Sequence, residues 1–81
     1  MNVRLQLFAL ARQLAGQEFI ELTLADGSTV GDLRQALALN RPELSHLLPH
    51  LLLAVNSEYA SDEKAIPPGA SIACFPPVSG G

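Results

Sequence analysis

Two glycines, Gly80 and Gly81, follow Phe75-Pro76-Pro77-Val78-Ser79, and they carry the chain's strongest chemical possibility. An α-carboxylate on Gly81 is the least hindered acyl group a polypeptide can offer, because neither glycine has a Cβ and both accept unusual φ/ψ values. Pro76 and Pro77 each fix φ near about −65° and donate no N–H, so the segment is expected to leave the preceding strand as a stiff, extended spacer. With an unperturbed pKa of about 3.3–3.7, such a carboxylate is an anion at neutral pH and a poor electrophile. It must be activated first. Attack on the α-phosphate of ATP gives an acyl-adenylate, whose carbonyl carbon a sulfur or nitrogen nucleophile can then take. The sequence holds no Gly-x-x-x-x-Gly-Lys-Ser/Thr phosphate loop and no acidic metal cluster, so no cofactor is expected on this chain and a partner enzyme must bring ATP and magnesium. The alternative is a frayed or truncated glycine-rich end.

Other reactive residue types are sparse. Cys74 is the one thiol, and it falls on the expected inward side of a strand, where cysteine behaves as a small apolar residue. One cysteine also excludes an internal disulfide framework. His46 and His50 have the i, i+4 spacing of a helical metal pair, yet Pro49 interrupts the helix between them and no third ligand is near. Arg12 and Arg34 suit either partner contacts or solvated helix faces. Lys64 is the single lysine.

The chain has 81 residues, enough for one domain of modest core. A formal net charge of −3 leaves no basic footprint, so nucleic-acid binding is not expected. The longest apolar runs, such as Leu51-Leu52-Leu53-Ala54-Val55, fall well short of the roughly 20 residues a membrane helix needs. With no signal-like segment either, a soluble, cytoplasmic protein without membrane contact is expected.

Apolar periodicity places the elements that would position the tail. Val3, Leu5 and Leu7 alternate with polar neighbours, predicting a strand over 2–9. A helical turn from Ala9 to Leu14 should end at Gly16. A second strand runs from Phe19 to Leu24 and closes at Asp26-Gly27. Ser28 or Thr29 caps the main helix, with Asp32 in its first turn and Val30, Leu33, Ala36 and Leu37 on one face as far as Asn40. Pro42 starts a shorter helix over Glu43 to Leu48, which Pro49 ends. A third strand spans Leu51 to Asn56, and a short edge strand lies around Tyr59-Ala60. A turn at Pro67-Pro68-Gly69 leads to the last strand, Ser71 to Phe75. Two strands, a long helix and further strands predict an α+β, β-grasp (ubiquitin-like) fold, a mixed sheet wrapped around one main helix. The domain is assigned to 1–75 and the extended tail to 76–81.

The motifs Leu7-Phe8-Ala9 with Arg12 and Gly16, Thr29-Val30 with Leu33-Arg34, Leu53-Ala54-Val55-Asn56, and the closing Phe75-Pro76-Pro77-Val78-Ser79-Gly80-Gly81 resemble the small, sulfur-carrying subunit of molybdopterin synthase, the MoaD family. The resemblance covers nearly the whole chain, and its tail motif is the specific part. It implies that an E1-like adenylyltransferase activates the terminal glycine, that a sulfur donor enzyme converts it to a thiocarboxylate, and that the sulfur passes to a cyclic pterin precursor of the molybdenum cofactor. Gly81 would carry the sulfur and Gly80 would thread the channel, with Pro76, Pro77, Val78 and Ser79 entering the large subunit's active site. The resemblance makes the chain a non-catalytic subunit and cosubstrate in a heterotetramer, the catalytic groups lying on the large subunit. Many relatives have acidic residues just before the last strand, where this chain has Pro67-Pro68-Gly69-Ala70-Ser71, so no charge contact to an activating enzyme carries over there.

Alternation also predicts a docking face. If Val3, Leu5 and Leu7 face the helix, Phe8 points to the opposite sheet face, and if Ile72 and Cys74 point inward, Phe75 shares that outer face. Tyr59 joins them by the resemblance. Two exposed aromatics beside the tail would mark a partner surface; the alternative is that Phe8 or Phe75 wraps a sheet edge as core. Other roles compatible with the sequence are a sulfur carrier for thiazole or tRNA thiolation, a ubiquitin-like modifier forming isopeptide conjugates, and a passive interaction module.

Overall fold

The computed structural model describes residues 1–76; Pro77, Val78, Ser79, Gly80 and Gly81 lie outside the described residues. Strand β1 (Asn2–Leu7) buries Val3, Leu5 and Leu7 and turns Asn2, Arg4 and Gln6 the other way, as its alternating sequence dictates. The strand is two residues shorter than the pattern predicts. Ala9 adopts a left-handed φ of 53° and swings the chain out of the ladder into helix α1 (Ala9–Ala15), while Phe8 keeps an extended backbone. Helix α1 buries Ala11 and ends at Gly16, whose φ of 71° is open to glycine and whose N–H donates to the Arg12 carbonyl. Strand β2 (Phe19–Thr23) then returns antiparallel to β1.

Helix α2 (Val30–Asn40) begins at a reciprocal cap. The Thr29 hydroxyl accepts from the Asp32 N–H at 3.2 Å, and the Asp32 carboxylate accepts from the Thr29 N–H at 2.9 Å. Its next free donors meet loop carbonyls: the Val30 N–H donates to Lys64 O and the Gly31 N–H to Asp62 O, each at 2.9 Å. The loop before the last strand is thereby strapped to the start of the helix. Val30, Leu33 and Leu37 are fully buried and pack against the inward residues of the sheet.

After α2 the predicted single helix over Glu43 to Leu48 is replaced by two 3-10 turns, Pro42–Leu44 and Leu48–His50. Proline explains the difference. Pro49 sits near the start of the second turn, where no N–H is required of it, so it opens that turn rather than ending a longer helix. The i to i+3 bonds of this stretch, including Ser45 N–H to Pro42 O and His50 N–H to Leu47 O, leave Leu44, Leu48 and Leu51 in the core.

Strand β3 (Leu52–Val55), edge strand β4 (Glu58–Tyr59) and strand β5 (Ser71–Phe75) complete the sheet. Strand β3 is shorter than predicted because the Leu51 carbonyl is engaged by a side chain from α2 and Asn56 belongs to a turn. Among the described residues the strand order is β2-β1-β5-β3-β4, with β1 and β5 parallel and every other pair antiparallel. Five strands curled over α2 make this an α+β, β-grasp (ubiquitin-like) fold. No helix among the described residues is long and apolar enough to cross a membrane.

The two-residue β3–β4 connection has both residues at positive φ, Asn56 at 51° and Ser57 at 71°. That is the pattern of a type I′ hairpin turn, which favours Asn-Gly. Asn56 has a further duty: its Oδ1 accepts from the Ser71 N–H and its own N–H donates to Ser71 O. Ser57 has no such bond, and its Cβ strains the turn. Ser57→Gly is expected to raise the unfolding free energy by about 0.5–1 kcal/mol, the relief of left-handed strain exceeding the added freedom of the unfolded chain. Urea titration of the two chains checks it, with a gain in midpoint at unchanged m-value as the outcome.

Candidate functional site

The parallel pairing of β1 and β5 matches Leu7 with Cys74, so the residues that follow them, Phe8 just past β1 and Phe75 at the end of β5, fall side by side on the outer face. Their rings stack at 4.8 Å between centroids with 10° between planes. Tyr59, from the neighbouring hairpin, meets Phe75 edge-on at 6.2 Å and 77°. Both geometries are favourable arrangements of aromatic quadrupoles, each contributing about 0.5–1.5 kcal/mol beyond area burial. The expectation of two exposed rings is therefore corrected. Phe8 and Phe75 are half-buried because they cover each other, while Tyr59 is 68% exposed.

Small residues floor this cluster. Ala54 is matched in register to Tyr59 on one side and Ala73 on the other, and side chains at both alanines are short enough for Tyr59 to reach Phe75 across them. Ala54 is buried yet lies outside the core cluster, as expected of a residue roofed from the outer face. Leu52, opposite Phe75 in register, is 37% exposed and extends the apolar surface. A shallow depression runs between Gln6, Phe8, Ala54, Ser57, Tyr59, Ala73 and Phe75. The sequence reading missed Leu52, Ala54 and Ala73. Alternation carried the signal: with Leu53 and Val55 inward, Leu52 and Ala54 must face out.

The other half of the outer face is polar. Arg4 places its guanidinium 4.1 Å over the Phe19 ring, and its register partner is Glu21. The apolar half thus lies at the β3–β5 end, where Pro76 leaves the sheet exposed to solvent. Of the residues assigned to partner contact, Phe8, Tyr59, Phe75 and Pro76 come together there; Pro77, Val78, Ser79, Gly80 and Gly81 lie outside the described residues.

The arginines separate. Arg12 is largely exposed and sits 3.7 Å from Glu18, an ordinary surface pair. Arg34 is turned into the fold, donating to the Leu48 and Leu51 carbonyls and to Asp62 Oδ1. His46 and His50 are exposed and share no helix, and among the described residues no group of three or more His, Cys, Asp and Glu is placed to hold a metal ion.

Comparison with known proteins fits this geometry to a family. A family model, the ThiS family, matches residues 5–81. The chain is 33% identical to the molybdopterin synthase sulfur carrier subunit of Arabidopsis thaliana, over 100% of this chain and 84% of that protein. It is 40% identical to the subunit of the same name from Dictyostelium discoideum, over 96% of this chain and 94% of that one. The chain belongs to the ThiS family. Among solved structures it is similar to small archaeal modifier protein 1 (SAMP1) of Haloferax volcanii, with 30% identity, full coverage of both chains and a TM-score of 0.88.

In this ThiS-family chain the one thiol is shut away from solvent. Cys74 is fully buried among core residues, and burial pushes its pKa up from 9.0 to about 12, an effect that the Arg34 charge only partly opposes. The thiolate, the nucleophilic form, is scarce at neutral pH. Because the folded chain holds this proton more tightly than the unfolded chain, stability is complete below about pH 9 and falls as pH rises towards 12. The slope from this group is up to about 1.4 kcal/mol per pH unit. Denaturation between pH 8 and about 11 should show a decline that Cys74→Val flattens; parallel declines in both chains would contradict the assignment.

Proposed function

We propose that this chain is a sulfur carrier whose Gly81 carboxylate is adenylated and converted to a thiocarboxylate that donates sulfur to a cyclic pterin precursor in molybdenum cofactor biosynthesis. The observation that carries the reading is the Phe8–Phe75–Tyr59 cluster at the root of the Gly-Gly segment, in a chain similar over its length to sulfur carrier subunits. Chemistry orders the steps. The carboxylate oxygen attacks the α-phosphorus of ATP and pyrophosphate leaves. Hydrosulfide, HS⁻, then attacks the acyl carbon and AMP leaves, giving –COSH. The thiocarboxylate sulfur is nucleophilic at neutral pH, and once it has passed to the acceptor, water restores the carboxylate. In this reading ATP and magnesium belong to an E1-like adenylyltransferase, and the sulfur to a donor enzyme.

The acceptor partner in this reading is the large subunit of molybdopterin synthase, which holds the pterin and the catalytic groups. It docks on Phe8, Phe75, Tyr59 and Leu52 while Pro76, Pro77, Val78 and Ser79 lead Gly80 and Gly81 into its active site, in a cytoplasmic heterotetramer. A second reading, a protein modifier joined to target lysines, is favoured by the likeness to SAMP1. In that case Lys64, exposed and the only lysine, is the one side chain through which copies could link.

Intact mass measurement separates the readings: exchange of one oxygen for sulfur marks the carrier, and addition of a whole protein marks the modifier. Deleting Gly81, or appending one residue after it, is expected to abolish sulfur transfer in a reconstituted system while the thermal midpoint stays unchanged. Activity in either variant would rule out the terminal acyl mechanism. Phe75→Asp is expected to weaken large-subunit binding by about 2 kcal/mol or more, some 30-fold, as for an interface anchor. Calorimetric titration reads it, and circular dichroism should show the fold retained.

A further inference from the structure

Arg34 makes more hydrogen bonds than any other side chain in this fold among the described residues, and nothing in the proposed chemistry uses them. Its guanidinium side chain is only 18% exposed. One nitrogen, Nη1, donates to both the Leu48 and the Leu51 carbonyls, the latter at 2.9 Å, while Nε and Nη2 grip Asp62 Oδ1 at 3.2 and 3.0 Å. The fork therefore joins three segments: α2, the last 3-10 turn with the entry to β3, and the loop strapped to the start of α2. The Leu51 carbonyl lies just before the ladder, and the Leu48 carbonyl, which also accepts from the Leu51 N–H at 3.2 Å, belongs to the 3-10 turn that leads into it. A planar, permanently charged donor fork is the side chain suited to hold two such acceptors and a carboxylate at once.

The position of that anchor gives it a consequence for the docking face. Leu51 immediately precedes Leu52, and Leu52 is the register partner of Phe75, the ring stacked on Phe8. β3 is four residues long, and this pair lies at its very end, where a strand frays first. We infer that Arg34 is a positioning residue for the docking face: by fixing the Leu51 carbonyl it holds the start of β3 against β5 and so sets Phe75, the residue from which the tail departs. This rests on the reading of the outer face as the partner surface, but the placement of Phe75 can be measured without any partner.

Amide hydrogen exchange on the intact chain, compared with Arg34→Lys and Arg34→Met, decides it. The lysine variant keeps the charge and the stem but cannot fork, and it serves if the methionine variant does not fold. Positioning requires exchange at Leu52 and Phe75 to accelerate about tenfold or more, with loss of nuclear Overhauser contacts between the Phe8 and Phe75 rings, while amides of the β1–β2 pairs such as Leu5 and Ile20 keep their rates. Asp62→Asn, which spares the two carbonyl bonds, should leave Leu52 and Phe75 unchanged. Uniform acceleration across all strands would mean a merely structural role, and no acceleration would mean no role; either overturns the inference. With the large subunit present, Arg34→Lys should bind about tenfold more weakly at a temperature where it is fully folded. Equal binding of both chains also overturns the inference, whereas failure of the unaltered chain to bind refutes the partner reading and leaves the exchange result to decide the role of Arg34.

Discussion

The parallel pairing of the first and last strands is the constraint on which the rest of this structure depends. Parallel neighbours cannot be joined by a tight turn, so everything between β1 and β5 acts as one long crossover. That crossover carries α2, and α2 supplies the apolar face over which the sheet curls. The same pairing runs both strands in one direction, which brings the residue after β1 and the last residue of β5 to the same edge of the molecule. Phe8 and Phe75 meet for that reason alone. Reversing either strand would separate them by the length of the sheet and leave no aromatic cluster where the chain leaves the fold.

Much of this was legible in the residues. Period-two alternation located β1, β2 and β5 because each has one buried face and one solvated one, the condition under which alternation is written into sequence. Ser28 or Thr29 was legible as the cap of α2 with Asp32 in its first turn, and the structure takes Thr29, with Asp32 closing a reciprocal cap; Gly16 was legible as a left-handed cap. The stretch from Pro42 to Leu51 was misread because a proline marks a boundary without saying which side of it is helical. Phe8 and Phe75 were placed on the right face, yet their mutual burial was not, since a ring-on-ring contact depends on strand neighbours and register rather than on either strand alone. Arg34 was the least legible residue of all. Its partners are backbone carbonyls 14 and 17 positions away and a carboxylate 28 positions away, and nothing in local pattern distinguishes such an arginine from one in solvent.

The fold separates reactivity from recognition. The one thiol inside the globule is held inert: Cys74 is buried and held protonated, while the Lys64 and Asp62 carbonyls accept from the first N–H groups of α2. The outer sheet face divides into a polar half, where Arg4 covers Phe19, and an apolar half beside the exit of β5. A sulfur-bearing acyl group would gain from both features. An accessible cysteine on the same chain would be a competing nucleophile for an activated glycine, and an undivided apolar sheet would invite association with other copies.

The self-stacking of Phe8 and Phe75 also bears on how tightly such a face can bind. Because each ring already covers the other, a partner docking here would remove less apolar area from water than two free rings would offer, and Tyr59 with Leu52 would have to provide much of the remainder. The compensation is preorganisation: the stacked pair has few rotamers left to lose when a partner arrives. A face of this kind favours defined orientation over great affinity. Orientation is what delivery of a chain terminus requires, and moderate affinity lets a spent carrier dissociate at a useful rate, since differences in binding strength among related complexes lie mostly in dissociation.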